Sequence, residues 1–302
     1  MRIADIKGEI LKNEPMCNHT SFGIGGPADI LAYPVDFEDL KALLKSVKDE
    51  NLNYFILGSG TNLLVRDGGF QGVVICLKRM NHVAVEREYH SLGGTFASLF
   101  AQAGAPISKL LAIAVDEGFT GLEFAAGIPG SIGGAVYMNA GTTLGEIGDI
   151  IDSATLISPE GMLVTKDRNE MGFGYRTSSI QEGYCVLDIR VILRRGDKDK
   201  IRTRVLELLM KRKQRQPWEF PNAGSIFRNP NEESAGNLIE SAGLKGRAVG
   251  KAQISEKHAN FIVNFGKSRA SDVIKLMNIV QQTVLEVHGV RLEPEIKIIG
   301  KD

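Results

Sequence analysis

The feature that most limits how this chain can fold is the run GIPGSIGGAVYMNAG at 127–141, where five of fifteen positions are glycine. Glycine enters positive φ freely and lets another backbone come close. Such a run cannot be the interior of a long helix or strand and has to form tight turns around a short regular piece. A second segment, LGSGTN at 57–62, begins at the end of the apolar run YFIL at 54–57. Each segment carries a hydroxyl and an asparagine, Thr61 and Asn62 in one and Ser131 and Asn139 in the other. Consecutive N–H groups in such turns can converge on an anion, and a helix starting just after adds its dipole. Neither segment continues into Gly-Lys-Ser/Thr, which excludes a P-loop. Taken singly, each reads first as an ordinary tight turn; together they point to one extended ligand with a pyrophosphate. A third stretch, GIGGPA at 23–28, fits G-x-G-x-x-A. It follows no strand and puts Pro27 where a nucleotide-binding helix would run, so it is read as a turn.

The 302 residues suffice for two or three domains with buried cores. Charge is balanced, 36 basic against 36 acidic side chains, which argues against a dedicated nucleic-acid or membrane-surface protein. The cysteines, Cys17, Cys76 and Cys185, are far apart and form no C-x-x-C. That fits reduced thiols in a cytosol better than disulfides or zinc, and no metal is expected. The N-terminus has no apolar signal region, and no apolar run approaches the ~20 residues of a membrane span.

Periodicity predicts an α+β chain. Leu40, Leu43, Leu44 and Val47 mark an amphipathic helix over 36–51, with Asp36 as N-cap. Apolar runs at 54–57 and 72–77 read as strands, with LLV between them. A helix is predicted over 106–121 with Ser108 as cap and Gly118 as stop. A hairpin is predicted over 150–167 around Pro159-Glu160-Gly161, and a strand over 184–196. Composition shifts near 197, where a basic amphipathic helix (197–217) opens the last region, and a boundary is placed there. A short helix (234–246), a strand (259–266), a long helix (271–289) and a last strand (293–300) follow.

Ser225, in NAGSIFRNP, is open to four roles: nucleophile, phosphate ligand, proton donor or turn residue. A nucleophilic serine would want a base and a G-x-S-x-G elbow, and NAGSIF is not one. Arg176 in GYRTSS can equally be a surface arginine after a turn. Glu295 in LEPEI can equally sit in an edge-strand salt bridge. KRKQR at 211–215 reads first as a solvated helix face, then as a contact for a substrate pyrophosphate, and last as a nucleic-acid contact.

Taken in order, NHTSFGIGGPADI, LGSGTNLLV, GLEFAAGIPGSIGGAVYMNAG, GYRTSSI, NAGSIFRNP, SAGLKGRAVGKAQISEKHANFIVN and LEPEI closely resemble the UDP-N-acetylenolpyruvoylglucosamine reductases, from about residue 18 to the C-terminus. The resemblance implies an α+β fold: an FAD-binding domain of the vanillyl-alcohol-oxidase type in two α+β parts, then an α+β substrate-binding domain. The implied parts are 1–78 (joined by the C-terminal strand 296–302), 79–197 and 198–295. It implies noncovalent FAD, NADPH as electron donor, and UDP-N-acetylglucosamine enolpyruvate as the substrate reduced to UDP-N-acetylmuramate for peptidoglycan. A cytoplasmic monomer with no nucleic-acid partner and no membrane insertion is expected. His19 lies in a family block and is assigned a structural or hydrogen-bonding role, not flavin attachment.

Arg176 then matches the arginine that steadies a carboxylate gaining charge. Glu295 matches the glutamate whose role favours a protonated side chain, its pKa raised by burial and neighbouring negative charge. Ser225 matches the proton donor to a carbanion. Cofactor contacts are expected at Leu57, Gly58, Ser59, Gly60, Thr61 and Asn62, and at Gly127, Ile128, Pro129, Gly130, Ser131, Gly133, Gly134, Asn139, Ala140 and Gly141. Substrate contacts are expected at Tyr175, Asn229, Lys257 and His258. One branch of the family carries an extra tyrosine loop; between Tyr175 and Pro217 there is no room for it, so the chain resembles the shorter branch. The rival assignments are another FAD oxidoreductase with the same flavin fold, and a non-catalytic nucleotide- or nucleic-acid-binding protein.

Overall fold

The computed structural model describes residue 3 and residues 5–180, 183–230 and 233–302. The chain divides into two compact units, one of residues 1–11, 31–59 and 73–211, the other of residues 12–30, 60–72 and 212–302. The last crossing lies inside the basic helix Lys198–Arg215, later in the chain than the composition shift at 197.

The first unit centres on an antiparallel sheet. Its strands run in the order Leu163–Asp167, Ile151–Ile157, Cys185–Arg195, Gly94–Gln102 and Val83–Ser91, and the short Phe119–Thr120 also pairs with Cys185–Arg195. Period-two alternation sets its faces: Leu187, Ile189, Val191 and Leu193 are buried while Asp188 and Arg190 are half-buried on the other side. The helix Ile107–Glu117 buries Ile107, Leu110, Leu111 and Ala114 at helical spacing and stops at Gly118, which takes the left-handed conformation. Tyr54–Leu57 pairs in parallel with residues 73–76 of the strand Phe70–Cys76. The helix Phe37–Asp49 precedes it, and the Asp36 carboxylate accepts the Asp39 amide as its N-cap.

The second unit packs the helices Ala235–Ser241 and Ala270–His288 with a three-stranded antiparallel sheet, Ala248–Val249, Ala252–Ile254 and Ile262–Asn264. Its core holds Phe22, Ile24, Phe227, Leu238, Ile254, Leu276, Val280 and Ile296. The strand Lys297–Ile299 pairs in parallel with Leu63–Val65, so the C-terminus is tied to the residues just after the first glycine segment.

Most predicted elements are present, with differences that have local causes. The helix predicted to start at Ser108 has Pro106 at its N-cap position and no side-chain cap; Ser108 lies inside it, exposed, because the carbonyl of Gly130 takes the Ile107 amide. The strand expected over 259–266 shortens to Ile262–Asn264, since Phe261 donates to the His258 carbonyl in a turn. The last strand shortens to Lys297–Ile299 because residues 293–295 pair elsewhere. Pro27 opens a strand, Pro27–Tyr33, and no helix follows GIGGPA.

The long helix Ala270–His288 is held at its start by Asp67, whose carboxylate accepts the amides of Ala270 at 2.8 Å and Ser271 at 3.0 Å. Burial pushes the Asp67 carboxyl up, but the hydrogen bonds from Ser271 and Ala270 and the charge of Arg269 outweigh it, so the group titrates below its usual range. A carboxyl depressed in the folded state stabilises above its unfolded pKa and loses that contribution as pH falls through the folded value. Asp67→Ala is expected to cost about 1 kcal/mol at pH 7. In urea denaturation across a pH series, the gap to the parent protein narrows below about pH 4.

Candidate functional site

In the first unit residues 57–59 of one glycine segment meet the other, 127–141. The turn after Tyr54–Leu57 leaves the carboxyl end of a parallel strand, where sheets of this kind place ligands. A side chain added at Gly58 would begin 2.4 Å from Ser131 Oγ and 3.9 Å from the Gly134 Cα. A side chain at residue 58 would therefore push the Ser131 hydroxyl aside, and glycine lets the two segments come this close without that shift. Ser59, Pro129 and Gly134 are exposed, and Gly58, Gly127, Ile128, Gly130, Gly133 and Ala140 half-buried, while Leu57 and Gly141 are buried.

The run 127–141 does not present all its amides outward. Ile132 donates to Ala105 O and Gly133 to Ala103 O, both at 2.8 Å, as the short helix Ile132–Tyr137 begins. Asn139 departs most from the expectation of a cofactor contact. Its side chain is 0% exposed. Its amide donates to Glu146 Oε1 at 2.7 Å and to Gly174 O at 3.0 Å, and its carbonyl accepts the Gly148 amide at 2.9 Å.

Arg176 sits in a four-residue turn. Gly174 and Thr177 exchange backbone hydrogen bonds at 3.0 and 3.1 Å, with Tyr175 and Arg176 between them. Arg176 has φ +54°, the left-handed region that penalises any side chain. Its Nη2 donates to Gly141 O at 3.0 Å, and its guanidinium lies 5.1 Å from the centre of the exposed Tyr175 ring.

In the second unit, Ser225 and Glu295 stand on paired backbone. Glu295 N donates to Ile226 O at 2.8 Å and Arg228 N to Glu293 O at 2.9 Å, bringing the residue after Ser225 against Glu295 across 69 positions of sequence. Both Ser225 and Glu295 are half-buried, while Ile226 and Phe227 are anchored in the core at 1% exposure. Ahead of Ser225, Asn222 accepts the Gly224 amide at 2.9 Å, and Gly224 has φ +75°. Behind it, Asn260 grips Phe227 on both sides, accepting its amide at 2.9 Å and donating to its carbonyl at 2.8 Å. Asn62 donates to Glu295 O at 3.2 Å and accepts the Lys297 amide at 3.0 Å. Gly60 has φ +65°, and a Cβ there would lie 2.2 Å from His19 O. Thr61 is half-buried beside it. His19 pairs with Glu14 at 2.8 Å.

The remaining residues expected at the substrate fall in the same unit. Asn229 accepts the Ala235 amide at 3.0 Å, at the start of the helix Ala235–Ser241. Lys257 Nζ donates to Lys213 O at 2.9 Å and lies 3.5 Å from Glu219. His258 stands 4.8 Å from Phe261, ring to ring, and burial, aided by the charge of Lys245, holds it below the usual imidazole range. Lys213, Gln214 and Arg215 of the basic stretch are exposed. Sequence patterns missed Asn260, although HANF placed it two positions from His258; an amide among apolar residues was the available signal.

Among the described residues, no three His, Cys, Asp or Glu side chains gather as a metal site, and no helix is long and apolar enough to cross a membrane. The three cysteines are free, and burial pushes the Cys185 thiol up to about 12.

Comparison with known proteins gives this geometry a context. Residues 28–167 match the family described as FAD binding domain, and residues 216–299 the family described as UDP-N-acetylenolpyruvoylglucosamine reductase, C-terminal domain. The UDP-N-acetylenolpyruvoylglucosamine reductase of Clostridium tetani is 45% identical over 96% of this chain and 92% of its own. That of Clostridium novyi is 43% identical over 98% and 94%. The crystal structure of the Thermus caldophilus reductase superposes with a TM-score of 0.81 at 35% identity, covering 97% of this chain and 99% of that one.

The left-handed backbone of Arg176 has a measurable cost. Arg176→Gly is expected to be more stable than Arg176→Ala by about 1 kcal/mol in urea denaturation, because only glycine occupies this φ without strain.

Proposed function

The chain belongs to the UDP-N-acetylenolpyruvoylglucosamine reductase family, and on that premise we propose how its own residues carry the family's reaction. It is an α+β flavoenzyme that uses FAD and NADPH to reduce the enolpyruvyl ether of UDP-N-acetylglucosamine to the lactyl ether of UDP-N-acetylmuramate, a peptidoglycan precursor. We assign catalysis to Arg176, Ser225 and Glu295, and we place the protein in the cytoplasm. The single observation that supports the assignment is the backbone pairing of Ile226 with Glu295, which ties the segment carrying Ser225 to the segment carrying Glu295.

The two touching glycine turns fit a dinucleotide with a pyrophosphate, since backbone there can approach a ligand without intervening side chains. In this assignment Gly58, Ser59, Gly60 and Thr61 would hold it from one segment, and Gly127, Gly130, Ser131 and Gly134 from the other. FAD held there would supply the hydride chemistry of the reaction, with NADPH as the electron donor.

The protein's side chains handle the charge and the proton. Arg176 offers a fixed guanidinium to the substrate carboxylate as electron density spreads into it from the adjacent carbon. Its backbone is preset by the Gly174–Thr177 turn, so little reorganisation is needed when the charge appears. Ser225 delivers its hydroxyl proton to that carbon. A hydroxyl is a weak acid, but the enolate-like carbon is a strong base, and the half-buried, anchored turn holds the donor close. Glu295 acts as a neutral acid, donating a hydrogen bond where an ionised carboxylate would repel the developing charge. Tyr175, Asn229, Lys257 and His258 are assigned to the substrate.

An absorbance spectrum tests the whole assignment. Flavin bands should bleach with NADPH under anaerobic conditions and return with the enolpyruvyl substrate. A colourless protein that cannot be reconstituted with FAD would overturn the cofactor assignment. Ser225→Ala is expected to keep the bleaching step and slow the return by roughly 10²–10⁴-fold; parent rates in both steps would remove Ser225 as donor. Glu295→Gln, which retains a donor, should lose less activity than Glu295→Ala. Gly133→Val should lower the flavin content of purified protein, because a side chain there begins 2.9 Å from Ala103 Cβ and displaces the helix Ile132–Tyr137.

A further inference from the structure

Asn139 lies near the end of the second glycine segment, and its side chain is folded inward. It is 0% exposed and its own backbone is left-handed, with φ +44°. All its side-chain bonds are internal: both amide hydrogens are committed, to Glu146 Oε1 and Gly174 O, and its carbonyl takes the Gly148 amide. The Gly174 carbonyl also accepts the Thr177 amide, so the bond from Asn139 fixes one corner of the turn that carries Arg176. Two residues after Asn139, Gly141 O receives the Arg176 guanidinium at 3.0 Å. Gly141 in turn faces Glu146, the other partner of Asn139, as its register partner in a short antiparallel pair.

Arg176 thus rests on residues 139–141 at both ends, its strained backbone through Asn139 and its head group through Gly141. A non-glycine residue at positive φ persists only where the surroundings over-determine it.

We infer that Asn139 is a positioning residue for Arg176, acting on the reaction through the Gly174 corner of the turn and not through the cofactor. The inference rests on Arg176 meeting the substrate as assigned above. Loss of the Asn139 bonds lets the turn relax and moves the guanidinium off the carboxylate, where a displacement of about 1 Å costs up to about 10²-fold.

A double-mutant cycle separates this from a general structural role. Asn139→Gly suits the backbone and removes only the side-chain bonds. It is expected to slow single-turnover flavin reoxidation by the enolpyruvyl substrate about 10- to 100-fold, with flavin content and NADPH-dependent bleaching unchanged. In an Arg176→Ala background the same substitution should add no further loss. A slowdown of equal size in both backgrounds overturns the inference, and so does a loss of flavin content or bleaching that matches the loss in reoxidation. Should Asn139→Gly not fold, Glu146→Ala removes one of the two anchors of the Asn139 amide. A smaller loss, confined to the Arg176 background, then supports the inference, and its persistence in Arg176→Ala, or no loss at all, overturns it. Parent rates in Arg176→Ala alone would instead sink the assignment of Arg176 on which it rests.

Discussion

In the second unit the placement of the segments carrying Ser225 and Glu295 hangs on two backbone hydrogen bonds, Glu295 N to Ile226 O and Arg228 N to Glu293 O, with Asn260 gripping Phe227 between them. Neither Ser225 nor Glu295 lies in a helix or a long strand, where repeated bonds would fix it. Their placement depends instead on Ile226 and Phe227, buried at 1% exposure, acting as the nail through the loop. Buried amides must be paired, so Asn260, itself 3% exposed, has one arrangement that satisfies it and the loop together. A loop held this way reaches the precision of a regular element while leaving its Ser225 edge reachable.

The same device recurs with different partners. Asn62 holds the carbonyl of Glu295 in one unit, and Asn139 holds the turn of Arg176 in the other. Each asparagine lies at or near the end of a glycine-rich segment. Glycines make the segment able to turn tightly and pass close to other backbone, and the asparagine then spends its amide to stop that freedom at a defined residue.

Much of the fold was legible because its elements are amphipathic. The helices Phe37–Asp49 and Ala270–His288 and the strand Cys185–Arg195 carry plain 3.6- or two-residue periods. The hairpin Val83–Ser91 with Gly94–Gln102 is hard to read from sequence because the outer strand, VAVEREYHS, loses its period-two pattern in the consecutive charges Glu86-Arg87-Glu88; the Gly93-Gly94 pair is its turn signal. The strands near residues 262 and 297 are shorter than their apolar runs because an apolar run does not reveal a backbone turn such as that at His258–Phe261, or pairing with another segment such as that of residues 293–295. For the candidate site, residue types and order single out segments, and the structure adds what order cannot give, such as the inward direction of the Asn139 side chain. Asn139 is the clearest instance, since the pattern that marks a ligand-facing amide is the same as that of one folded inward.

The burial of cysteines has a practical consequence. Cys76 and Cys185 are buried, and burial raises both thiols, whereas Cys17 is only half-buried. Thiolate is the form that reacts with alkylating reagents, so the native protein offers a single handle for a fluorescent label without any engineering. That handle lies two positions before His19, whose carbonyl oxygen occupies the space a side chain at residue 60 would need. A dye at Cys17 is therefore tied through a few residues of backbone to the first glycine turn, giving the unaltered chain a built-in optical reporter for that turn.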